Sequence, residues 1–280
     1  MVVLAVMVTV GIELRIAQFQ AFVTQPRTLI LGSLVHTLTF PLIATAMVLL
    51  VQSLNLGLSD ATVIGMLLIA ACPSGGFSNV MALMARVNLP LSVALTTVSS
   101  VFSFLTVPLL MIAFGFLIAD LDRPVSLPIG QTLVQLLVLV VLPIGVGMVW
   151  RARRPAFIDR HLGQMQRVGQ IVFYIVITLV LLENAGAVSN GVGEALPWSL
   201  LLCLGNVGGC YYGAKIAGLT VEDRVTVALE GSIRNLAVAI LIAVNVMDRP
   251  DVAVLPTVYF MAVMIVAITF AKTWRRIIKT

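Results

Sequence analysis

Apolar positions gather into nine runs, at residues 1–14, 28–51, 60–86, 89–118, 125–150, 168–189, 196–215, 224–247 and 252–273. Polar or turn-rich stretches part them, among them residues 53–60, 119–124, 151–167, 184–195 and 248–251. A helix of about 20 residues, at ~1.5 Å each, crosses a hydrocarbon core. All runs but the first reach that length, so the pattern predicts about nine transmembrane helices, the first short or tilted.

Two runs are interrupted near their middles. The third carries Cys72-Pro73-Ser74-Gly75-Gly76-Phe77-Ser78-Asn79. Proline removes a backbone donor and clashes with the preceding turn, and two glycines loosen the chain. The eighth carries Glu230-Gly231-Ser232-Ile233-Arg234-Asn235. A single charge at the bilayer centre costs at least ~2.5–3.5 kcal/mol. Two charges in one span, Glu230 and Arg234, therefore need a partner, a cavity or a purpose, and the stretch reads as a functional site. The third and eighth runs cross in opposite senses. Interrupted helices at matching positions of two inverted halves mark the binding site of a secondary transporter. Irregular backbone at that depth is tolerated only where it lines a cavity.

Composition agrees with the pattern. The chain of 280 residues is 60% hydrophobic and 10% charged, with mean hydropathy +1.10, where a soluble domain carries roughly 25% charge. The spans consume nearly all of it, leaving one transmembrane domain over residues 1–280, with halves at 1–150 and 151–280. The net charge of +5 follows the membrane rather than a nucleic acid. Of the 17 lysines and arginines, 14 follow odd-numbered runs, Arg123 and Arg249 lie opposite, and Arg234 is within the membrane. Positive residues stay inside. The expected protein is thus a multi-pass cell-membrane protein with its N-terminus outside and its C-terminus cytoplasmic. Cys72, Cys203 and Cys210 show neither a disulfide framework nor metal-thiolate spacing, and Met1 opens without the basic stretch of a signal peptide.

At these breaks the sequence resembles the bile acid:sodium symporter family. The likeness runs through CPSGGFSNVMALMARVNLPLSVALTTVSS (72–100) and LGNVGGCYYGAKIAGLTVEDRVTVALEGSIRNLAVA (204–239). It implies an all-α polytopic fold of two inverted repeats, with two discontinuous helices crossing at mid-membrane. It also implies the nine-helix form, lacking the first helix of the commoner ten. A first sodium site is implied at Ser78 and Asn79 on the broken helix, Ser92 and Thr96 one turn apart on the next, and Glu230. Such a set suits a hard cation, which takes oxygen ligands. An isolated serine or threonine in a membrane helix more often joins helices together.

The departures are equally informative. Where the family's second sodium site has glutamines, this chain has Arg234 and, on a looser alignment, His36. A fixed guanidinium cannot share a small pocket with Na⁺ at acceptable Coulomb cost. Arg234 is therefore expected to stand in for the second sodium and to pair with Glu230, leaving at most one sodium site; a purely structural i,i+4 pair is the other reading. His36 is either a hydrogen-bonded packing residue or a titrating group that permits proton coupling. Asn206 and Asn235 match amides of related sequences and are candidate substrate contacts, and a polar pair on the last helix is replaced by Met264 and Ile265. The expected function is secondary active transport of a small organic anion by alternating access. A monocarboxylate is favoured over a bile acid, coupled to Na⁺ through one site. A proton-coupled or sodium-independent carrier built on His36, Glu230 and Arg234 is the alternative. The expected partners are the substrate and the lipid bilayer, with no nucleic acid and no obligate protein partner. An intramembrane enzyme is disfavoured, since only two histidines occur and no paired carboxylates lie in the membrane. Cys72 invites comparison with arsenite carriers, but its Pro-Ser-Gly-Gly-x-Ser-Asn surroundings fit the symporters better.

Overall fold

Helix is the only regular element among the described residues of the computed structural model, which are 8–9, 11–12, 26–120, 134, 138, 142–183 and 185–277. Most of the first and fifth apolar runs, Glu13 and Arg123 lie outside them. The helices are α1 (Pro26–Ser53), α2 (Asp60–Ala71), α3 (Phe77–Ala85), α4 (Leu89–Asp120) and α5 (Leu142–Arg153). They continue with α6 (Pro155–Glu183), α7 (Ala185–Ile216), α8 (Val221–Ser232), α9 (Leu236–Leu241, running into a π turn Ile242–Val246) and α10 (Val254–Ile277).

Helix α1 and the stretch Pro250–Arg275 are each long and apolar enough to cross a membrane. A third candidate is α4, as two pieces, Leu89–Ser103 and Leu105–Leu117, bent by 63°. Pro108 explains the bend: its ring crowds the carbonyl four residues back, that of Phe104. Apolar residues do not retreat from the surface. On α1, Ile30, Leu34, Leu38 and Leu42 form an exposed stripe, while Leu29, Gly32, His36, Phe40 and Ala44 face inward. A helix apolar all round suits a bilayer rather than water.

Two stretches read as separators are helical. Residues 155–167 open α6, with Pro155 at its first position, and residues 185–195 open α7. Polar composition there marks where apolar surface ends; it does not end a helix, and proline at the first turn gives up a donor that would be unpaired anyway.

Packing centres on α7, α8 and α10, with α1 against α7 and α8. Glycines let α1 and α7 approach. A Cβ on Gly209 would stand 2.7 Å from Thr39 Cγ2, one on Gly213 3.1 Å from Val35 and one on Gly205 3.4 Å from Ile43, whereas Gly208 faces open space. Between α2 and α3, and again between α8 and α9, the chain is extended. The two extended pieces pair antiparallel at Ser74 and Arg234. Gly75 N–H donates to Ile233 O (2.9 Å), and Asn235 N–H donates to Pro73 O (2.8 Å). Each break thus satisfies backbone groups that the other leaves open, as a water-poor interior requires.

Candidate functional site

The last turn of α8 would leave carbonyls unpaired at its C-terminus. Three side chains from three other segments reach them. Ser74 Oγ donates to Glu230 O (2.6 Å), Asn206 Nδ2 to Gly231 O (2.6 Å) and Tyr259 Oη to Ser232 O (2.7 Å). Ser74 is itself held by its N–H to Ser99 Oγ (2.9 Å). Beyond the break, Asn235 caps α9, its Oδ1 accepting from Val238 N–H (3.3 Å). Gly75 is required by this closeness: a Cβ there would lie 3.0 Å from Arg234 O. Gly75→Ala is expected to destabilise the fold by about 1–3 kcal/mol, the range for forcing atoms into a packed interior. Thermal unfolding in detergent checks this, with Gly57→Ala as control, since a Cβ on Gly57 meets nothing within 4 Å.

On one side of the crossing lies a cluster of oxygens. Thr96 Oγ1 donates to Glu230 Oε2 (2.9 Å) and lies 3.1 Å from Oε1, and Ser92 Oγ donates to the same carboxylate in a short hydrogen bond. Ser92 Oγ also lies 2.9 Å from Asn79 Oδ1. Ser78 Oγ donates to Gly75 O (2.8 Å) and stands 3.4 Å from Thr96 Oγ1. Ser78, Ser92 and Glu230 are fully buried. Ser78, Asn79, Ser92, Thr96 and Glu230, distant in sequence, are therefore brought together. The cluster is short of protons. With Ser78 committed to Gly75 O, the Ser92 and Thr96 hydroxyls must serve both carboxylate oxygens and the Asn79 carbonyl. A hydroxyl carries one donor and two lone pairs. Turned about, these hydroxyls present oxygen to a cation. The donor set is a hard one with a single negative charge, which fits a small alkali ion. Among the described residues no three His, Cys, Asp or Glu side chains gather as a transition-metal site would need.

Arg234 lies on the other side. Its Nη1 donates to Cys72 O (3.1 Å) and its Nη2 to His36 O (2.8 Å), and its Cζ sits 4.9 Å from the centroid of the Phe40 ring. Phe40 is backed by Tyr259, with ring centroids 5.2 Å apart. Cations favour aromatic faces. The expected pair with Glu230 does not form: the guanidinium bonds the two carbonyls instead, and no carboxylate lies within ion-pair distance of it among the described residues. Helix α8 ends at Ser232, so the two residues are not on one helix and the i,i+4 relation fails. His36 does lie beside Arg234, as the alignment of both with one site implied. Its Nδ1 is 3.1 Å from Ser33 O, and Nε2 has no partner. Asn206 is buried at the break with its Oδ1 near Cys210 Sγ (3.6 Å), which makes it a support of α8 in this conformation. Asn235 is half-buried at its cap.

Against Arg234 opens a cavity of about 310 Å³ between α1, the end of α2 and α4. A second, of about 330 Å³, lies between α7 and α10, is apolar apart from Thr257, and includes Ile265 in its wall. Sequence reasoning passed over Ser74, Ser99, Phe40 and Tyr259 as parts of the site. Tyr259 offered a signal, a polar tip in an apolar helix; Ser99 offered none.

The model of the Sodium Bile acid symporter family matches residues 1–190. This chain belongs to that family. Members of the family are transporters, not enzymes, and the coupled ion of the named relatives is sodium. A probable sodium/metabolite cotransporter of rice chloroplasts, BASS2, is 24% identical over 274 residues, covering 96% of this chain and 62% of that protein. The uncharacterized sodium-dependent transporter YocS of Bacillus subtilis is 26% identical over 233 residues, covering 82% of this chain and 68% of its own. The rat hepatic sodium/bile acid cotransporter is 23% identical over 257 residues, at 90% and 68% coverage. The chain spans about two thirds of the length of these relatives.

Proposed function

We propose that this symporter-family chain is a secondary active carrier that couples transport of a small organic monocarboxylate to one sodium ion. The observation that carries the reading is the proton-poor oxygen cluster of Ser78, Asn79, Ser92, Thr96 and Glu230, buried beside two paired helix breaks. Ser92, Thr96 and Glu230 would hold the ion from α4 and α8, and Ser78 and Asn79 from α3. The ion would thereby tie together segments that belong to both breaks. Arg234 supplies a fixed positive charge where relatives would place a second sodium. It is held by carbonyls of Cys72 and His36 and has no carboxylate beside it, so it replaces an ion rather than neutralising Glu230. About nine spans in two inverted halves, in a cell membrane with a cytoplasmic C-terminus, is the topology that goes with this reading.

Thermal unfolding of the purified protein in sodium against choline tests the ion. Sodium should raise the midpoint in a saturable manner with a Hill coefficient near one, because a ligand that binds only the folded state stabilises it by mass action. Equal midpoints in both salts would refute the coupled ion. Stabilisation by acidification alone would instead favour a proton carrier built on His36 and Glu230.

A further inference from the structure

The oxygen cluster draws its side chains from three helices, and those helices are joined to one another away from the cluster. Asp223 stands in the first turn of α8 and is 7% exposed. Its Oδ1 accepts from Asn88 Nδ2 (2.8 Å) and its Oδ2 from Thr220 Oγ1 (2.7 Å). Thr220 is the N-cap of α8, its Oγ1 accepting from Asp223 N–H (3.2 Å). Asn88 caps α4 in the same way, its Oδ1 accepting from Leu91 N–H (3.1 Å). One carboxylate thus bridges the caps of two helices, at N-termini where negative charge is favoured. Helix α3 is tied in as well. It ends at Ala85, Arg86 follows in the left-handed conformation (φ 57°), Val87 N–H returns to Ala82 O (3.2 Å), and Asn88 comes next.

The spacing links this clamp to the cluster. Ser92 and Thr96 follow Asn88 by four and eight residues on one face of α4, and Glu230 follows Asp223 by seven on one face of α8. Clamp and cluster are therefore rungs of one ladder between α4 and α8, about 10 Å apart at ~1.5 Å per residue. Between the rungs the contact is apolar and closed: Leu91, Leu95 and Val227 are buried. A Cβ on Gly32 would meet both Val227 (3.2 Å) and Leu95 (3.4 Å), which places those two side chains together against α1. So dense an interior passes a displacement on instead of absorbing it. A slip of α8 by one residue would carry Glu230 ~1.5 Å along the axis, enough to break the bonds of Thr96 to its carboxylate.

From this we infer that Asn88 and Asp223 are a positioning pair for the ion site: their hydrogen bond sets the axial register of α4 against α8, and with it the distance of Ser92 and Thr96 from Glu230. The inference rests on the ion reading above and names what fixes the geometry of that site. Neither residue touches the ion. A carboxylate two turns away could also draw a cation by its field alone. The two effects part when a second carboxylate is placed at residue 88: a field would tighten sodium binding, whereas a broken clamp weakens it.

The test is the half-saturating sodium concentration for thermal stabilisation of the purified full chain, with the midpoint in choline recorded beside it. It is measured for the wild type, Asp223→Asn, Asn88→Asp and the double variant. Asp223→Asn leaves one acceptor oxygen for two donors, and Asn88→Asp sets two carboxylates against each other. Each should raise the half-saturating sodium roughly tenfold, the scale of one charge-assisted hydrogen bond. The double variant exchanges carboxylate and amide. The carboxylate at 88 can accept from Leu91 N–H and from the amide at 223, whose oxygen can accept from Thr220 Oγ1. It should return to within about twofold of the wild type. Asn88→Ser, which keeps a cap on α4 but is an atom too short for Asp223, replaces a single variant that does not fold and should weaken sodium equally. An unchanged half-saturation beside a lowered choline midpoint would make the pair a cap of the fold alone and overturn the inference. Tighter sodium binding in Asn88→Asp, or a double variant no better than the worse single one, would overturn it too. Those three results leave the ion site standing, whereas no sodium response in the wild type would sink both.

Discussion

Glu230→Gln should abolish the response of the protein to sodium while leaving the fold at least as stable as before. The carboxylate is the only negative charge in the oxygen cluster, and it is wholly buried. Unit charges ~4 Å apart interact by about 4 kcal/mol at an effective dielectric near 20. An amide keeps one oxygen in place but forfeits that attraction. Sodium binding should therefore weaken by roughly a hundred- to a thousandfold. The apo protein behaves in the opposite sense. Without an ion, Glu230 is a buried charge held only by hydroxyls, and such a charge is costly; glutamine removes the cost. A midpoint in choline equal to or above the wild type, with no rise in sodium, is the expected pair of results. Undiminished sodium stabilisation in Glu230→Gln would remove the ion from this cluster. Transport by the variant should fall to background with sodium outside, measured as uptake into proteoliposomes.

The two halves of the crossing were unequally legible in the chain. The breaks themselves are local events. Pro73 and the adjacent glycines stop α2, and the Glu230–Arg234 stretch stops α8, so both positions could be read from residues alone. The oxygen cluster was legible through the family resemblance rather than through periodicity, and only one piece of it is local. Ser92 and Thr96 are four apart on one helix and share a face, and the structure turns that face to Glu230. The partner of Arg234 was not readable. Spacing pointed to Glu230, but the helix ends between them, and the guanidinium reaches carbonyls 162 and 198 positions away in the chain. No periodicity encodes such contacts, because they depend on how separate helices are placed. For the same reason Tyr259 could be seen as polar in an apolar helix, yet not as the donor to Ser232 O. The helical openings of α6 and α7 were missed for a different cause. Charged and small residues at 155–167 and 185–195 report the boundary of an apolar layer, and a helix can continue through it.

Accumulation of substrate should be insensitive to membrane voltage. One sodium ion and one monocarboxylate carry no net charge together. Arg234 and Glu230 travel with the protein and return with it, so neither adds to the charge moved per cycle. A carrier that instead used two sodium ions per monoanion would move one positive charge, worth about 2.3 kcal/mol at 100 mV. That is roughly a fiftyfold difference in the plateau of accumulation. The experiment uses proteoliposomes with a fixed sodium gradient and a potassium diffusion potential set by valinomycin, with a radiolabelled monocarboxylate that the protein is first shown to take up. The plateau should be the same at zero and at −100 mV, and currents on a solid-supported membrane should be transient only. A plateau that rises fiftyfold would show two coupled sodium ions and would mean that Arg234 does not take the place of the second. A plateau that falls on hyperpolarisation would show the anion moving without sodium. The voltage response thus reads out, in a single ratio, whether the buried guanidinium stands where a second coupled sodium would otherwise be carried.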